Sequence, residues 1–530
     1  MQLTIGSAGG KRQFQGLVMG LVIIGLIWEL TSWIIAGSDQ TLIMFGLGLV
    51  ALAIVVHILN DWRSGVLLFL IWLLFEDLAR KYLGNSMIVF FAKDMLIGVA
   101  YLSFYLAKRR RQVETFKIPF LVPLGLFIAL AVIQTFNTWS PSVLYGVLGL
   151  KVYFYYAPLM LLGYAMMERP ADLERFLVVS LLAGILIAGL GIVQSIVGGN
   201  FLTPDNIAPE LYELTHTVRY SPVTHSASAV TSSVFVSSGR FSFYLIFLWI
   251  LAFGAQGYLV LSRRPGAKYG FIGIGVVTVA VLITGTRTPF VFMVASALMM
   301  TSAFLWGAPW KWGHGHRLVK ALRRGFFVGA IALILMSEVA PLVLGDHWRF
   351  LSETLSFGGE GSELQNRAIE YPMMNLMLAF QHDRWPVGYG TGLNSLGMQY
   401  VSKFLDEPVP SIGVESGYGA LIVEMGILGP ILWLLWVSVL LWTSWKVVRQ
   451  LRATVYFPLA FAIWWYVLVL LVMLVFFGLP AYQNYVNNAY LWILIGVLYR
   501  LPKLAQMPQP VPVPKHARGI SRWKLAAGVR

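Results

Sequence analysis

Runs of apolar residues about twenty positions long recur along almost the whole chain, from Gly16 to Tyr499. A run of that length, wound as an α-helix, spans a bilayer core of roughly 30 Å. Only 12% of the 530 residues are charged and 58% are apolar, whereas a soluble domain carries about 25% charged residues. The sequence therefore predicts an all-α, polytopic integral membrane protein without a large soluble domain.

The apolar runs predict about fourteen transmembrane helices. They lie at residues 14–36, 40–59, 64–79, 87–107, 119–136, 143–166, 175–197, 241–261, 269–285, 289–306, 325–343, 427–444, 456–478 and 486–499. The run 64–79 also fits a re-entrant segment. The chain then divides into eleven helices within 1–343, a long loop at 344–414, the C-terminal helices within 415–500, and a basic, Pro-rich tail at 501–530.

The basic residues give the orientation. If the N-terminus is cytoplasmic, clusters such as Lys108–Arg111, Lys311–Arg324 and Lys446–Arg452 all fall on the cytoplasmic side. By count, the cytoplasmic segments hold about 28 of the 39 Lys and Arg residues. The net charge of +15 therefore reflects membrane orientation and contact with lipid, and predicts no nucleic-acid partner.

Two loops on the opposite side are long, one at 198–240 and one at 345–414. Long loops between closely connected helices usually have a function or are disordered. In the second loop, the segment Glu363–His382 has apolar residues at helical spacing, which predicts an amphipathic helix on the membrane surface. Pro372 lies inside this helix and is expected to kink or divide it.

Three arginines are predicted on the side of the long loops. Arg287 follows Thr284-Gly285-Thr286 in a short turn, Arg240 begins a span, and Arg367 lies in the predicted amphipathic helix. A guanidinium group binds two phosphate oxygens at once and stays charged, so these residues are candidates for a pyrophosphate site. The alternative is that each arginine extends to lipid phosphate at a helix end.

Glu415 lies where the second long loop ends and an apolar helix begins. Partial burial there would raise the pKa of its carboxyl and make it a general base, whereas a structural role would be to cap the helix. Tyr418 follows one turn later as a candidate substrate contact. Glu424 is expected to brace a polar contact between helices.

Other polar features lie nearby or inside a span. The turn containing Gly388, Tyr389 and Gly390 is either flexible or brings the backbone close to a substrate, with His382 as a further candidate contact. Lys93 and Asp94 form an adjacent charged pair within an apolar run, which indicates either a transport pathway or a structural pair.

The segment from Glu415 to Pro430 resembles a known family. An acidic or His residue, an aromatic residue and then Glu-x-Gly-Ile-Leu-Gly, here Glu424 to Gly429, are similar to the end of the large periplasmic loop in the O-antigen ligase and O-antigen polymerase superfamily. The peptidoglycan polymerases of the shape, elongation, division and sporulation group are more distantly similar, with an Asp in place of Glu415. The turn before Arg287 also resembles the Ser/Thr-Arg turn of the family.

The match continues through the long loop. Arg367, followed by Trp385-Pro386-Val387-Gly388-Tyr389-Gly390, resembles the loop helix and Gly-x-Gly turn of the family. The motifs cover about the last 300 residues, and the rest agrees in topology only. The ligases carry a His, often His-Asn, where this chain has Glu415-Ser416. That difference favours a polymerase, although His347 and His382 leave the ligase open.

The resemblance implies a glycosyltransferase of the bacterial inner membrane with its active site facing the periplasm. Its donor would be a glycan on polyprenyl (undecaprenyl) pyrophosphate, and its acceptor a growing O-antigen or exopolysaccharide chain or a lipid. Arg287, Arg367 and Arg240 would bind the pyrophosphate, and Glu415 would be the base of an inverting displacement. The sequence has no Cys residue, and no Asp-rich motif is evident on the outer side, so we expect no metal and no cofactor.

Two functions of another class remain open. A lipid-linked glycan flippase has a similar number of helices but normally short loops on both sides, which the loop at 345–414 contradicts. An ion-coupled transporter would place its polar site at the middle of the membrane on broken helices, whereas most polar candidates here lie at the outer surface.

Overall fold

The fold is built almost entirely from helices. The computed structural model describes residues 39–198, 200–215, 218–220, 227–264, 266–310, 315–325, 327, 365–408 and 412–507. Its N-terminal half contains the helices α1 (Asp39–Asn60), α2 (Trp62–Tyr82), α3 (Met87–Arg109), α4 (Leu121–Thr135), α5 (Val143–Phe154), α6 (Leu159–Met166), α7 (Pro170–Val197), α8 (Pro209–Thr215), α9 (Ser238–Leu261), α10 (Ala267–Ile283) and α11 (Arg287–Gly307). Residues 315–325 are also helical. Two short strands, β1 (Val218–Tyr220) and β2 (Ala227–Ala229), pair antiparallel between α8 and α9.

The C-terminal part is also helical. It contains α12 (Tyr371–Ala379), α13 (Met398–Leu405), α14 (Gly417–Met425), α15 (Leu428–Gln450), α16 (Phe457–Leu468), α17 (Val475–Phe477), α18 (Pro480–Gln483) and α19 (Tyr485–Gln506). Two π-helical stretches precede α12 and α17, at Asn366–Glu370 and Val469–Leu474. A π-helical stretch inserts an extra residue into the turn, and Pro372 stands just after the first stretch.

Several described helices are long and apolar enough to cross a membrane. Seven qualify among the residues that the structure describes: Met87–Arg109, Val143–Met166, Pro170–Val197, Ser238–Leu261, Arg287–Gly307, Leu428–Gln450 and Phe457–Phe477. The predicted membrane protein is thereby confirmed at this level. The predicted span 14–36, nearly all of 325–343, the loop residues 344–364 with His347, and most of the tail lie outside the described residues.

The predicted spans correspond closely to helices wherever the chain is described. The segment 64–79 lies in a continuous helix, α2, of 21 residues. The predicted span 143–166 is divided into α5 and α6 by turn residues 155–158. Pro158 ends this break, and its ring nitrogen has no N–H to donate to a preceding carbonyl.

The chain forms two compact units. Among described residues, the first contains 39–69 with 94–110, and the second contains 70–93 with the residues from 111 onwards. Within the first unit, the ring of Trp62 meets that of Phe104 edge-to-face at 5.1 Å. The Ser103 hydroxyl donates to the Leu59 carbonyl, which joins α3 to the end of α1.

In the second unit, small residues allow helices to pack closely. A side chain at Gly163 of α6 would lie 2.4 Å from the Ile493 carbonyl oxygen of α19. A side chain at Gly496 would lie 2.0 Å from the Met160 carbonyl oxygen. Close backbone approach of this kind is typical of membrane helix pairs, because lipid provides no hydrophobic drive for their association.

The helices of the second unit run between two ends, which we call the basic end and the site end. At the basic end, Arg264 pairs with Glu174 at 2.6 Å, Arg500 pairs with Glu114 at 2.8 Å, and Arg452 donates to a main-chain carbonyl at the end of α11. These contacts join the end of α9 to the start of α7, and the C-terminal half of α19 to the loop before α4. At the site end, the start of α9 contacts the end of α2 and the residue that precedes α11.

Candidate functional site

Ionisable side chains are buried at the end of α2. Glu76, Asp77, Arg80 and Lys81 are each at most 5% exposed. Residues three and four apart lie on one face of a helix, so opposite charges at this spacing face the same neighbours. Burying charges is costly unless they are paired and hydrogen-bonded, and each of these side chains has such contacts.

Asp77 is the centre of this group. Both of its carboxylate oxygens lie 2.8 Å from Arg240 Nη1, and its Oδ1 also lies 3.1 Å from Arg80 Nη1. The backbone amide of Val236 donates to its Oδ2. One carboxylate therefore holds the start of α9 against the end of α2 and is shared by two arginines.

Lys93 forms the second ion pair. Its Nζ lies 2.8 Å from Glu76 Oε1 and 3.7 Å from the centre of the Phe90 ring. It also lies 4.5 Å from the Tyr485 ring at the start of α19. The lysine noted in the sequence for its neighbour Asp94 thus pairs across two helices with Glu76.

The remaining contacts of this group are with neutral groups. Arg80 Nη2 donates to the hydroxyl of Tyr400 at 2.5 Å and to Asn85 Oδ1 at 2.7 Å. Lys81 Nζ donates to the Ser233 carbonyl at 3.0 Å and lies 3.4 Å from the Ser232 hydroxyl. We call Glu76, Asp77, Arg80, Lys81, Lys93 and Arg240 together the buried charge cluster.

The structure brings two of the three predicted phosphate-binding arginines to the same end. Ser242, two residues after Arg240, and Thr286, one residue before Arg287, lie within hydrogen-bonding distance through their hydroxyls at 2.9 Å. Arg287 is half-buried as the first residue of α11. The sequence analysis gave Arg240 as a contact to pyrophosphate or lipid phosphate, but it did not predict the ion pair with Asp77.

Glu415 differs from the expectation of partial burial, because it is exposed. Its backbone amide donates to Asn375 Oδ1 of α12 at 3.2 Å. The N-cap position of α14 is Ser416, whose hydroxyl donates to the Phe476 carbonyl, so Glu415 does not occupy the cap. Tyr418, on the first turn of α14, donates its hydroxyl to the carbonyl of Val472.

Glu424 is fully buried and joins three segments, as the sequence indicated. Its Oε1 accepts from the Asn394 amide at 2.8 Å and the Ser395 hydroxyl at 3.1 Å. Its Oε2 accepts from the Tyr153 hydroxyl at 3.0 Å. Residues 388–392, with Gly388, Gly390 and Gly392, are called the Gly-rich turn. The carboxylate of Glu424 therefore fixes Asn394 and Ser395, just after this turn, against α14 and α5.

The Gly-rich turn packs against protein backbone. The amides of Tyr389 and Gly390 donate to the carbonyls of Val423 and Glu424. A side chain on Gly388 would lie 2.6 Å from the Gly426 amide nitrogen. The close approach to the Gly426 amide accounts for Gly388 by packing.

The loop helix ends three residues before the predicted end at His382, and its predicted start at Glu363 lies outside the described residues. In the described part, the π-helical stretch with Arg367 leads into α12, which ends at Ala379. Its buried residues, Pro372, Asn375 and Ala379, pack on α14, and its apolar residues Ile369, Met373, Met374 and Met377 are exposed. His382 lies beyond the helix with its ring 6.0 Å from that of Tyr389.

Sequence reasoning missed the end of α2. The signal was present, because Glu76-Asp77 and Arg80-Lys81 place opposite charges one helical turn apart at the end of an apolar run. Their partner Tyr400 lies 320 positions from Arg80 and has no local signal. Within the described ranges, no three His, Asp or Glu side chains are grouped to hold a metal ion.

The long apolar helices and the ion pairs between them define the chain as a helical membrane protein with a polar site at one end of its second unit. Comparison with known protein families and with curated proteins finds no match to this chain.

Proposed function

We propose that the chain is a glycosyltransferase of the bacterial inner membrane that polymerises glycan repeat units carried on polyprenyl pyrophosphate. In this proposal about fourteen helices cross the membrane, the basic end is cytoplasmic, and the loops at 198–240 and 345–414 face the periplasm. The excess of Lys and Arg at the basic end supports that orientation.

One observation carries the proposal. The hydrogen-bonding contact between Ser242 and Thr286 joins the two segments that bear Arg240 and Arg287, at the end opposite the basic loops. An arginine from each segment could contact the non-bridging oxygens of the donor diphosphate, and these contacts would stabilise the charge that develops as the diphosphate leaves. Among the described contacts, Arg240 hydrogen-bonds to Asp77 through Nη1 alone, which leaves Nε and Nη2 to donate to phosphate.

Glu415 is the proposed base. Its exposure leaves the carboxylate accessible to an acceptor hydroxyl, and the amide contact with Asn375 fixes its backbone. The carboxylate would remove the hydroxyl proton as that oxygen attacks the anomeric carbon. The bond to the diphosphate oxygen breaks in the same step, the anomeric carbon is inverted, and the diphosphate leaves as an anion without protonation.

The test is elongation of a synthetic polyprenyl pyrophosphate-linked repeat unit by purified protein. Arg287→Lys should reduce the rate about 10- to 150-fold, because lysine cannot form the two-pronged contact with phosphate. Arg263→Lys, an exposed position at the basic end, is the matched control and should elongate at the wild-type rate. Equal rates for both variants would remove Arg287 from the site, and wild-type protein without elongation would remove the polymerase.

Two other functions lead to different outcomes. An O-antigen ligase would transfer finished polymer to a lipid or protein acceptor, so a deletion strain would retain lipid-linked polymer, whereas loss of a polymerase leaves single repeats. A lipid-linked glycan flippase or another transporter is favoured by one observation, the Lys93–Glu76 pair buried among helices. Transport by the reconstituted protein without elongation would select that class.

A further inference from the structure

We infer that the buried charge cluster is a binding site for a diphosphate anion, with Arg80, Lys81 and Arg240 as its main contacts. The charges and hydrogen bonds of the cluster favour an anion whatever the function of the chain. Naming the occupant as the diphosphate of the lipid-linked donor rests on the proposed function. Of these three contacts, the sequence analysis named only Arg240 as a candidate. The inference adds Arg80 and Lys81 of α2.

The buried charge cluster has an excess of positive charge. The cluster contains four cationic side chains and two carboxylates, which leaves two positive charges in excess: Arg80, Lys81, Lys93 and Arg240 against Glu76 and Asp77. The carboxylate of Glu76 pairs with Lys93, and that of Asp77 is shared by two arginines. Burying excess charge is unfavourable without a counter-charge. A diphosphate would supply it.

The neutral acceptors that Arg80 and Lys81 now contact can be replaced by phosphate oxygens. Among the described residues, Lys81 has a serine hydroxyl and a main-chain carbonyl as its acceptors, and Arg80 Nη2 has the Tyr400 hydroxyl and the Asn85 amide oxygen. Hydrogen bonds to an anionic oxygen are shorter and stronger than those to neutral acceptors. Phosphate oxygens would therefore replace these neutral groups.

The adjoining cavity contains a buried hydrogen-bond donor, the side-chain amide of Asn484. Asn484 is 2% exposed and lines a small cavity together with Glu76, Asp77, Arg240 and Tyr485. Its Oδ1 accepts from the amides of the first turn of α19, which fixes the orientation of the side chain. Its Nδ2 then has no acceptor among the residues that the structure describes. The N-terminus of a helix of 22 residues adds a partial positive charge there.

Access depends on helix α13. Tyr400 belongs to this helix, covers Arg80 and is itself only half-buried. Gly397 and Asp406 flank α13 with left-handed backbone, at φ of 95° and 55°. The cavity beside Arg240 is too small for a diphosphate, and Tyr400 is hydrogen-bonded to Arg80, so we expect the tyrosine to move from Arg80 when the anion binds.

The experiment uses purified full-length protein and inorganic pyrophosphate, with binding measured by calorimetry at fixed ionic strength and sulfate as the comparison anion. Wild-type protein should bind pyrophosphate more tightly than sulfate. Lys81→Met should weaken the affinity for pyrophosphate about 10- to 100-fold, because one charge-assisted contact is lost. Tyr400→Phe should tighten it about 2- to 10-fold, because the competing hydroxyl is removed. Lys268→Met, which removes an exposed charge at the basic end, is the control and should bind as wild type does.

Equal binding of sulfate and pyrophosphate, or unchanged pyrophosphate affinity in Lys81→Met, would overturn the inference. The Tyr400→Phe variant keeps the test decisive if loss of a buried lysine prevents folding, because failure of this variant to tighten binding also refutes the site. The expected binding pattern in a protein that elongates no glycan would leave the anion site standing and remove the polymerase. Normal elongation by a folded Lys81→Met protein would leave the polymerase standing and would exclude the donor diphosphate as the anion bound at this site.

Discussion

Replacing Gly392 by alanine should destabilise the protein strongly, although it adds a single methyl group. Gly392 has φ of +91°, a backbone conformation that costs a residue with a side chain about 1–3 kcal/mol. The added Cβ would lie 1.9 Å from the Tyr145 carbonyl oxygen and 3.0 Å from the Gly149 nitrogen. Both neighbours are backbone atoms of α5 and cannot rotate away, which adds about 1–3 kcal/mol of overpacking. The expected loss is therefore about 2–6 kcal/mol.

The matched control is Gly125→Ala in α4, where a new Cβ would meet nothing within 4 Å. That change should be neutral or stabilise by up to about 1 kcal/mol, since alanine favours a helix over glycine. Thermal unfolding of the two variants in the same detergent should differ in midpoint by on the order of 2–6 °C, because unfolding a chain of 530 residues carries an entropy of about 1 kcal/mol per kelvin. Equal midpoints would refute the packing described for the Gly-rich turn. A Gly392→Ala protein that is as stable as wild type but inactive would indicate instead that the turn contacts a substrate.

Three further predictions test the site, the orientation and the basic end. Glu415→Gln should slow elongation about 10²- to 10⁴-fold in a folded protein, and an active variant would exclude this base. Cysteines replacing Glu213 and Arg263, both exposed, should differ in labelling by an impermeant thiol reagent in spheroplasts, with only position 213 reacting. The reverse labelling would invert the membrane orientation. Hydrogen bonds from Lys503 and Arg500 lower the pKa of Glu114, so the stability they provide is present above its unfolded pKa and is lost as the pH falls through the lowered value. Glu114→Gln should therefore lower the thermal midpoint at pH 7 and not in strong acid, by an amount corresponding to about 1 kcal/mol or less, because the carboxylate is half exposed.

The apolar runs predicted the helices well because apolar length is a local property of the sequence. The predicted span 87–107 corresponds to α3 at Met87–Arg109, and 427–444 to α15 at Leu428–Gln450. The loop helix was harder to predict. Its apolar spacing marks a helix but does not say which face is buried, and Met373 and Met377 are exposed while Asn375 packs against α14. Which face of α12 is buried depends on its packing against α14, about 45 residues further along the chain.

The candidate site shows the same division. Arg240 and Arg287 could be recognised one at a time, since each is an isolated charge beside an apolar run. The pairing of Arg240 with Asp77 could not, because it depends on how α2 and α9 pack. The exposure of Glu415 was misjudged for a similar reason. Its neighbour Ser416 is buried, and a shift of one residue at the start of a helix turns a side chain to a different environment.

The charges at the end of α2 also affect how the protein is made. Four ionisable residues within its last two turns would each oppose entry of an isolated helix into lipid by up to about 2.5–3.5 kcal/mol. Asp77 pairs with Arg80 on α2 itself, but its second partner, Arg240, lies 163 positions further along the chain and is synthesised much later. With α2 in the membrane, as in the proposed topology, its charged end would stay at the water interface or within the insertion machinery until α9 is synthesised. In the proposed topology, α2 would therefore reach its final position in the membrane only after α9 has been synthesised.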